Sequence, residues 1–369
     1  MEFQTKAGEL ANAVRRVSLV VDRKSTMPML LLLKIEAFDT AVKINGSSLV
    51  MSAGARVQAT VTAKGAAAVD QQRLLDIVSK LPADKKVTCK LSEDQKLTVK
   101  SGSSRYELAS MPAEDFPVTP KPDAKQHVEI SSTLLTSLFE ATEISMLQDD
   151  QRAHLSGISF SWGGKHATMV ATDGMRLSRY TKKFEAAYEG SVFIPFRAVV
   201  AIRKFCESLQ SNSTISLATS GAYLHFWNAV AGFACKLIDV KPTDYDKAIP
   251  DAAKLSCGFT ATRESLVDAL SRLRVAFKDA SSEGARFFCD KANGRVEITS
   301  NNDECSGREA IKAEVKGEGE MVIDVNRVLD FLRVCGAEQV SCRFADKTPT
   351  IWAPAKAGSG LLGLIMPIV

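Results

Sequence analysis

The sequence has no large excess of either charge, no long apolar run and no paired-cysteine motif, and each absence removes a class of protein. Lys and Arg total 47 against 43 Asp and Glu, a net charge of +4 over 369 residues. A polyanion partner would therefore have to be met by cations gathered on one surface, not by bulk charge. The longest apolar stretch, Met27 to Leu33, is too short to cross a bilayer. The segment Met1-Glu2-Phe3-Gln4-Thr5-Lys6 lacks the apolar core of a secretory signal. A cytoplasmic protein with no membrane partner is expected. The eight cysteines form no C-x-x-C pair, and the four histidines do not stand beside them at zinc-ligand spacing. They read as buried, reduced thiols, with no metal site. No Ser-His-Asp or Cys-His arrangement has supporting local context, so no catalytic residue and no cofactor are expected.

What is present is ordinary globular material, 45% hydrophobic and 24% charged, in a chain long enough for two or three domains. Its informative feature is an internal repeat of roughly 120 residues. Each copy opens with an amphipathic helix. Leu10, Val14, Val17 and Val21 fall on one helical face in the first, and Leu266, Leu270, Leu273 and Phe277 repeat that spacing in the third. Leu134, Leu135, Leu138 and Phe139 supply the less regular apolar face of the second. A hairpin should follow each helix. The pairs are Leu30–Ala37 with Ala41–Ile44, Gly157–Trp162 with Ala167–Ala171, and Arg286–Cys289 with Arg295–Thr299.

A second helix is expected behind Val69-Asp70, Ile194-Pro195 and Ile323-Asp324, because Asp caps a first turn and Pro is tolerated there. Alternating strands then follow at Val87–Leu91, Thr214–Leu217 and Val340–Phe344. The fold class is α+β, three repeated units of two helices packed on antiparallel sheet. Composition places the boundaries so that the units span 1–122, 123–252 and 253–369. The run Gly358-Ser359-Gly360-Leu361-Leu362-Gly363 fits G-x-G-x-x-G, but too little chain follows for a helix, so it reads as a turn entering the last strand. Asp149-Asp150 and Asp173 are too little for a two-metal nuclease, and Asp173 fits a turn.

At this point the chain resembles the bacterial beta sliding clamp family from end to end. The matching residues are Pro28 with the apolar run behind it, Ser101-Gly102-Ser103-Ser104-Arg105-Tyr106 and Asp115-Phe116-Pro117. Arg152 with Leu155 and Gly157, Ala171-Thr172-Asp173-Gly174-Met175-Arg176-Leu177, Ile194-Pro195, Asp244-Tyr245 and Met366-Pro367 complete the set. The resemblance implies the DNA-clamp fold, a ring closed as a head-to-tail dimer and lined by helices. It also implies a non-enzymatic processivity factor that encircles duplex DNA without reading sequence. The implied partners are the replicative polymerase catalytic subunit, the clamp loader, and repair and translesion polymerases.

Helix faces that carry cations suit phosphate contact, and the candidates are Arg15, Arg16, Arg73, Lys80, Arg197, Arg203, Lys204, Arg272, Arg327 and Arg333. Arg23 and Lys24 match a DNA-contacting loop of the family. The implied peptide pocket comprises Leu155, Thr172, Gly174, Met175, Arg176, Leu177, Pro242, Lys247, Ala248, Leu364, Met366 and Pro367, with Arg176 offering donors to a peptide. The implied dimer contact places Tyr106 and Leu108 against Val275, Ala276 and Phe277, with Arg105 facing Asp303, Glu304 and Glu309. The family usually has His at Met175, Phe-Pro ahead of Asp244-Tyr245, and a basic residue after Met366-Pro367, so peptide preference is expected to shift here. Two other functions are compatible with the residues. One is a clamp-like adaptor that binds proteins without encircling DNA; the other is a DNA-processing enzyme on a repeated scaffold.

Overall fold

A computed structural model describes residues 1–122, 126–149, 151–239, 245–277, 284–301 and 305–368. Among them are six α-helices: α1 (Ala7–Val17), α2 (Gln71–Lys80), α3 (Ser132–Glu143), α4 (Phe196–Glu207), α5 (Arg263–Leu273) and α6 (Val325–Val334). The chain is α+β, and its element order repeats three times: strand, helix, antiparallel strands, helix, strands. The second helices start where the sequence places them. Asp70 Oδ1 accepts from the Arg73 amide (2.8 Å), and Asp324 Oδ1 accepts from the amides of Asn326 (2.9 Å) and Arg327 (3.2 Å). In the middle repeat Pro195, which has no amide to satisfy, ends the strand directly before α4.

The first helices bury the anticipated stripe. Leu10, Val14 and Val17 of α1 and Leu266, Leu270 and Leu273 of α5 are buried, each side chain contributing about 1.5–3 kcal/mol. The stripe is shorter than the spacing suggests. Helix α1 ends at Val17, a 3₁₀ turn Ser18–Val20 follows, and Val20 is buried where Val21 was expected. A tighter turn rotates the face by one residue. Likewise Leu30 and Leu31 belong to a 3₁₀ turn that Pro28 opens, and the strand starts at Leu32. The side chain of Phe277 lies outside the described atoms.

The chain forms two compact units. The first, Met1–Thr136 with Val200–Ile238, holds a thirteen-stranded antiparallel sheet. The second, Ser137–Val199 with Asp239–Val369, holds sheets of nine and four strands. Within each unit one strand pairing links consecutive repeats. In the first unit the last strand of the second repeat, Ala231–Lys236, pairs with Met51–Gln58, the third strand after α1. In the second, the last strand of the chain, Leu361–Ile365, pairs with Arg176–Lys183, the third strand after α3. The same main-chain bond finishes both joins: the Lys236 amide donates to Val50 O (2.8 Å), and the Met366 amide to Met175 O (2.9 Å).

Six cysteines are buried, and burial pushes the thiols of Cys89, Cys235 and Cys289 up to about 12, out of the reactive range. Cys257 is half-buried and Cys305 exposed, so uniform burial of the thiols does not hold.

The glycines of the G-x-G-x-x-G run have structural explanations. Gly358 and Gly360 take φ of +84° and +80°, a side chain at Gly360 would overlap the Thr181 carbonyl oxygen, and one at Gly363 would overlap the Phe331 ring. Gly360→Ala should therefore destabilise the protein by about 3 kcal/mol or more. Gly358→Ala, with open space around it, should cost about 1–2 kcal/mol. Urea denaturation of both variants checks this, and equal losses would show that backbone conformation alone matters there.

Candidate functional site

The second unit builds a turn that pushes one methionine outward. Thr172 Oγ1 accepts the Gly174 amide (3.1 Å) and donates to Arg176 O (2.7 Å). Asp173 Oδ1 accepts the amides of Met175 and Arg176, both at 2.9 Å. Gly174 has φ +91°, a conformation that L side chains rarely adopt. Asp173 is thereby the cap of a turn between strands His166–Thr172 and Arg176–Lys183. Met175 is left exposed, and the Leu155 side chain lies beside Gly174.

The chain end is held against this turn. Leu177 pairs with Leu364, the Met366 amide donates to Met175 O, and the Ile368 amide donates to Val322 O (2.8 Å). Leu177 and Leu364 face inward, in a cluster with Val170, Tyr245, Leu255 and Ile351. They form the support beneath the site more than its surface. Burial of Tyr245 and an Arg179–Asp246 ion pair (2.7 Å) fix the short turn Tyr245–Ala248, from which Lys247 and Ala248 are exposed. Met366 and Pro367 are half-buried. Pro242 lies outside the described residues. The turn thus brings Leu155, Thr172, Gly174, Met175, Arg176 and Met366 together, and Lys247 and Ala248 sit on the short turn fastened to Arg179.

Arg176 is held within its own chain. Its Nε donates to Asp173 Oδ2 (3.0 Å) and its Nη1 to Asp330 Oδ2 of α6 (2.8 Å), so two carboxylates hold it. These bonds position the turn against α6 and use two of the five guanidinium N–H donors. Asp330, Arg179 and Tyr245 carry this arrangement; the sequence reading named only Tyr245, as a family match, and missed the other two. A lone Asp inside a helix offers no signal without knowledge of what that helix packs against.

The basic candidates divide. In the first unit, Arg15, Arg73, Lys80, Lys204 and the loop residues Arg23 and Lys24 are exposed. Arg16 is spent on structure, donating to Ser208 Oγ (2.8 Å) and Ser208 O (2.7 Å), and burial lowers its pKa. Arg203 pairs with Glu207 one turn along. Arg197 is exposed, with its guanidinium over the Phe196 ring. Arg272 and Glu309 form a two-bond pair (2.9 and 2.8 Å), and that hydrogen bond holds the Glu309 carboxyl below its usual range. Arg327 pairs with Asp324 and Arg333 with Asp330.

At the expected dimer contact, Tyr106 is 44% exposed but Leu108 only 5%, because Leu108 packs into the core of its own unit. Val275 is 74% exposed. Of Ala276 and Phe277 only the backbone is described. Within one chain Arg105 pairs with Glu107 (2.8 Å) and Glu309 with Arg272; Asp303 and Glu304 lie outside the described residues.

The family description "DNA polymerase III beta subunit, N-terminal domain" matches residues 1–120, and its central-domain counterpart matches residues 129–243. The chain belongs to the DNA polymerase III beta subunit family. A beta sliding clamp of Salmonella typhimurium is 26% identical, and one of Pseudomonas aeruginosa 27%, each over the full length of both chains. The crystal structure of the Pseudomonas aeruginosa DNA polymerase III beta subunit superposes with a TM-score of 0.92 at 25% identity, covering all of both chains. A griselimycin-bound clamp from that organism gives 0.93 at 25% identity, covering 100% of this chain and 99% of that one. The Bacillus subtilis clamp, at 20% identity and a TM-score of 0.93 over 100% of this chain and 99% of its own, shares the fold. No helix among the described residues is long and apolar enough to cross a membrane, and those residues contain no group of three or more His, Cys, Asp or Glu able to hold a metal ion.

The Arg176–Asp330 contact is testable as an energetic unit. A double-mutant cycle of Arg176→Gln and Asp330→Asn, read by urea denaturation, should show coupling on the order of 1–2 kcal/mol for this partly buried pair. Additive effects would mean that the pair does not fasten the turn to α6.

Proposed function

We propose that this chain works as a non-catalytic clamp, two copies of which close around duplex DNA and tether a polymerase through the Met175–Met366 surface. One observation carries the reading. In both internal joins the last strand of a repeat pairs with the third strand of the repeat before it. Two strands are left over. Ser104–Met111 ends the first repeat; it pairs fully with Lys96–Ser101 and touches Gly65–Asp70 only at Ser110 and Met111. Ser306–Lys312, the third strand of the third repeat, is the edge of its four-stranded sheet. Applying the same join between two copies pairs these strands. Two such joins use both of these strands on each chain and close a ring of six repeats. Exposed Tyr106 and Val275 then supply apolar contact, while Leu108 supports the strand from within.

The repeats are assigned to 1–122, 123–252 and 253–369, in keeping with family matches that end at 120 and 243. DNA contact falls to Arg15, Arg23, Lys24, Arg73, Arg197 and Lys204, with Arg203 contributing less because Glu207 holds it. Such contacts bind phosphates and not bases. The Met175 surface, flanked by Leu155, Ala248, Lys247 and Met366, takes apolar peptide segments of the polymerase. The clamp loader and the repair and translesion polymerases would compete for it. Met in place of the usual His makes it more adaptable.

Encirclement has a signature that simple adhesion lacks. Once loaded on a nicked circle, the protein should remain at salt that abolishes direct binding, since each phosphate contact weakens with a slope of roughly −0.9 per contact, and cutting the circle should release it. Tyr106→Asp with Val275→Asp, both at exposed positions, should sediment as a monomer and lose that retention. Equal loss from circular and linear DNA would leave an adaptor that does not encircle.

The pocket is tested separately. Deleting Met366 to Val369 should weaken a fluorescent polymerase-derived peptide by roughly tenfold to a hundredfold, with sedimentation unchanged. Wild-type affinity in the truncated chain would place the pocket elsewhere.

A further inference from the structure

The first unit carries a groove of about 420 Å³ that no part of the clamp reading uses. Strand register builds it. Asn45 stands opposite Gly54, Gly54 opposite Gly232, and Gly232 opposite Trp227. One rung along, Ser47, Ser52, Ala234 and His225 stand opposite one another in the same order. Residues directly opposed, and those two apart on a strand, project from the same face of the sheet. Two adjacent glycines therefore contribute no side chain to the trough, and the Asn45 and Lys43 side chains reach over Gly54. Phe38, Trp227, Pro120 and Pro122 provide apolar walls, and Arg56 lies over the Phe38 ring.

The floor is polar and unsatisfied. Asn45, Ser52 and His225 are 6%, 4% and 2% exposed, yet Asn45 Oδ1, Ser52 Oγ and His225 Nε2 have no hydrogen-bond partner. Buried polar atoms are nearly always paired in native proteins, so three orphans lining one cavity point to a ligand that pairs them. Burial also lowers the pKa of His225, which keeps the ring neutral near neutral pH. The volume lies within the roughly 300–1,000 Å³ typical of ligand sites. Lys43, Arg56 and Lys121 line the groove, and none of the described lining residues is acidic.

We propose that this groove is a second docking site, taking a short acidic peptide in extended conformation. Main-chain amides of the peptide donate to Asn45 Oδ1. An apolar side chain sits between Phe38 and Trp227, and a carboxylate meets Lys43 and Arg56. The orphaned atoms are spread over two adjacent rungs, as a main chain lying across the strands would need. The assignment is independent of the Met175 surface, whose residues all belong to the other unit.

The test uses full-length protein labelled with fluorotryptophan. Its three indoles are Trp162 and Trp352, both buried in the second unit, and Trp227 in the groove. Titration with acetyl-Asp-Phe-Asp-Leu amide should shift the Trp227 signal saturably, while the Lys-substituted analogue should not. Gly232→Ala should weaken binding about tenfold or more; a Cβ there makes only ordinary contact with Trp227 and the Phe226 carbonyl, so the fold should survive. Lys43→Glu with Arg56→Glu, both exposed, should do the same by charge reversal. Deleting Met366 to Val369 should change nothing at Trp227, which separates this site from the peptide pocket. An unmoved Trp227 signal, or wild-type affinity in both variants, would overturn the proposal. So would an oligothymidylate that displaces the peptide, since it would assign the groove to single-stranded nucleic acid.

Discussion

Unpaired strand edges are the constraint on which this structure depends. A repeat made of two helices on a curved antiparallel sheet ends in strands whose amides and carbonyls need partners, and an exposed edge invites uncontrolled pairing. The chain meets that demand twice by joining one repeat to the next, at Met51–Ala55 with Ala231–Cys235 and at Arg176–Tyr180 with Leu361–Ile365. The same rule leaves Ser104–Met111 and Ser306–Lys312 without such a join inside the chain, and the proposed closed dimer would supply the two that are missing, as a barrel closes within one sheet.

The join at the end of the chain also makes the candidate site. Pairing of Leu364 with Leu177 brings Met366 to Met175, while Asp173 and Asp330 hold Arg176 of the same turn. Support and surface are thus separate. Leu177 and Leu364 pack inward with Tyr245, and Met175 is left free to adapt to a partner. An arginine engaged by two carboxylates fixes the geometry of the turn.

The first unit resolves its own join differently. There the sheet face around Gly54 and Gly232 is hollow, and its polar floor is buried without partners. A buried polar atom without a hydrogen bond is costly, and such a cluster persists only where something compensates it. The two joins therefore share a backbone pattern but present different surfaces, because side-chain identity and not strand pairing decides what each can bind.

Much of the architecture was legible in the sequence, since it is written locally. The apolar period of Leu10, Val14 and Val17 and the caps Asp70 and Asp324 each act within a few residues of themselves. Repetition of that order identified three units and carried the family resemblance, and through it the surroundings of Met175. Details failed where tertiary packing competed with period: Val20 for Val21, and a 3₁₀ turn at Leu30 and Leu31. What the tertiary structure alone decided are the contacts between residues far apart in sequence. Arg176 with Asp330, Arg16 with Ser208, Arg272 with Glu309, and the meeting of Asn45, Ser52 and His225 are of this kind. Charge and hydrogen-bonding capacity are visible in a sequence. The partner that uses them is set by strand register and helix packing over tens to hundreds of residues, and no local pattern encodes it.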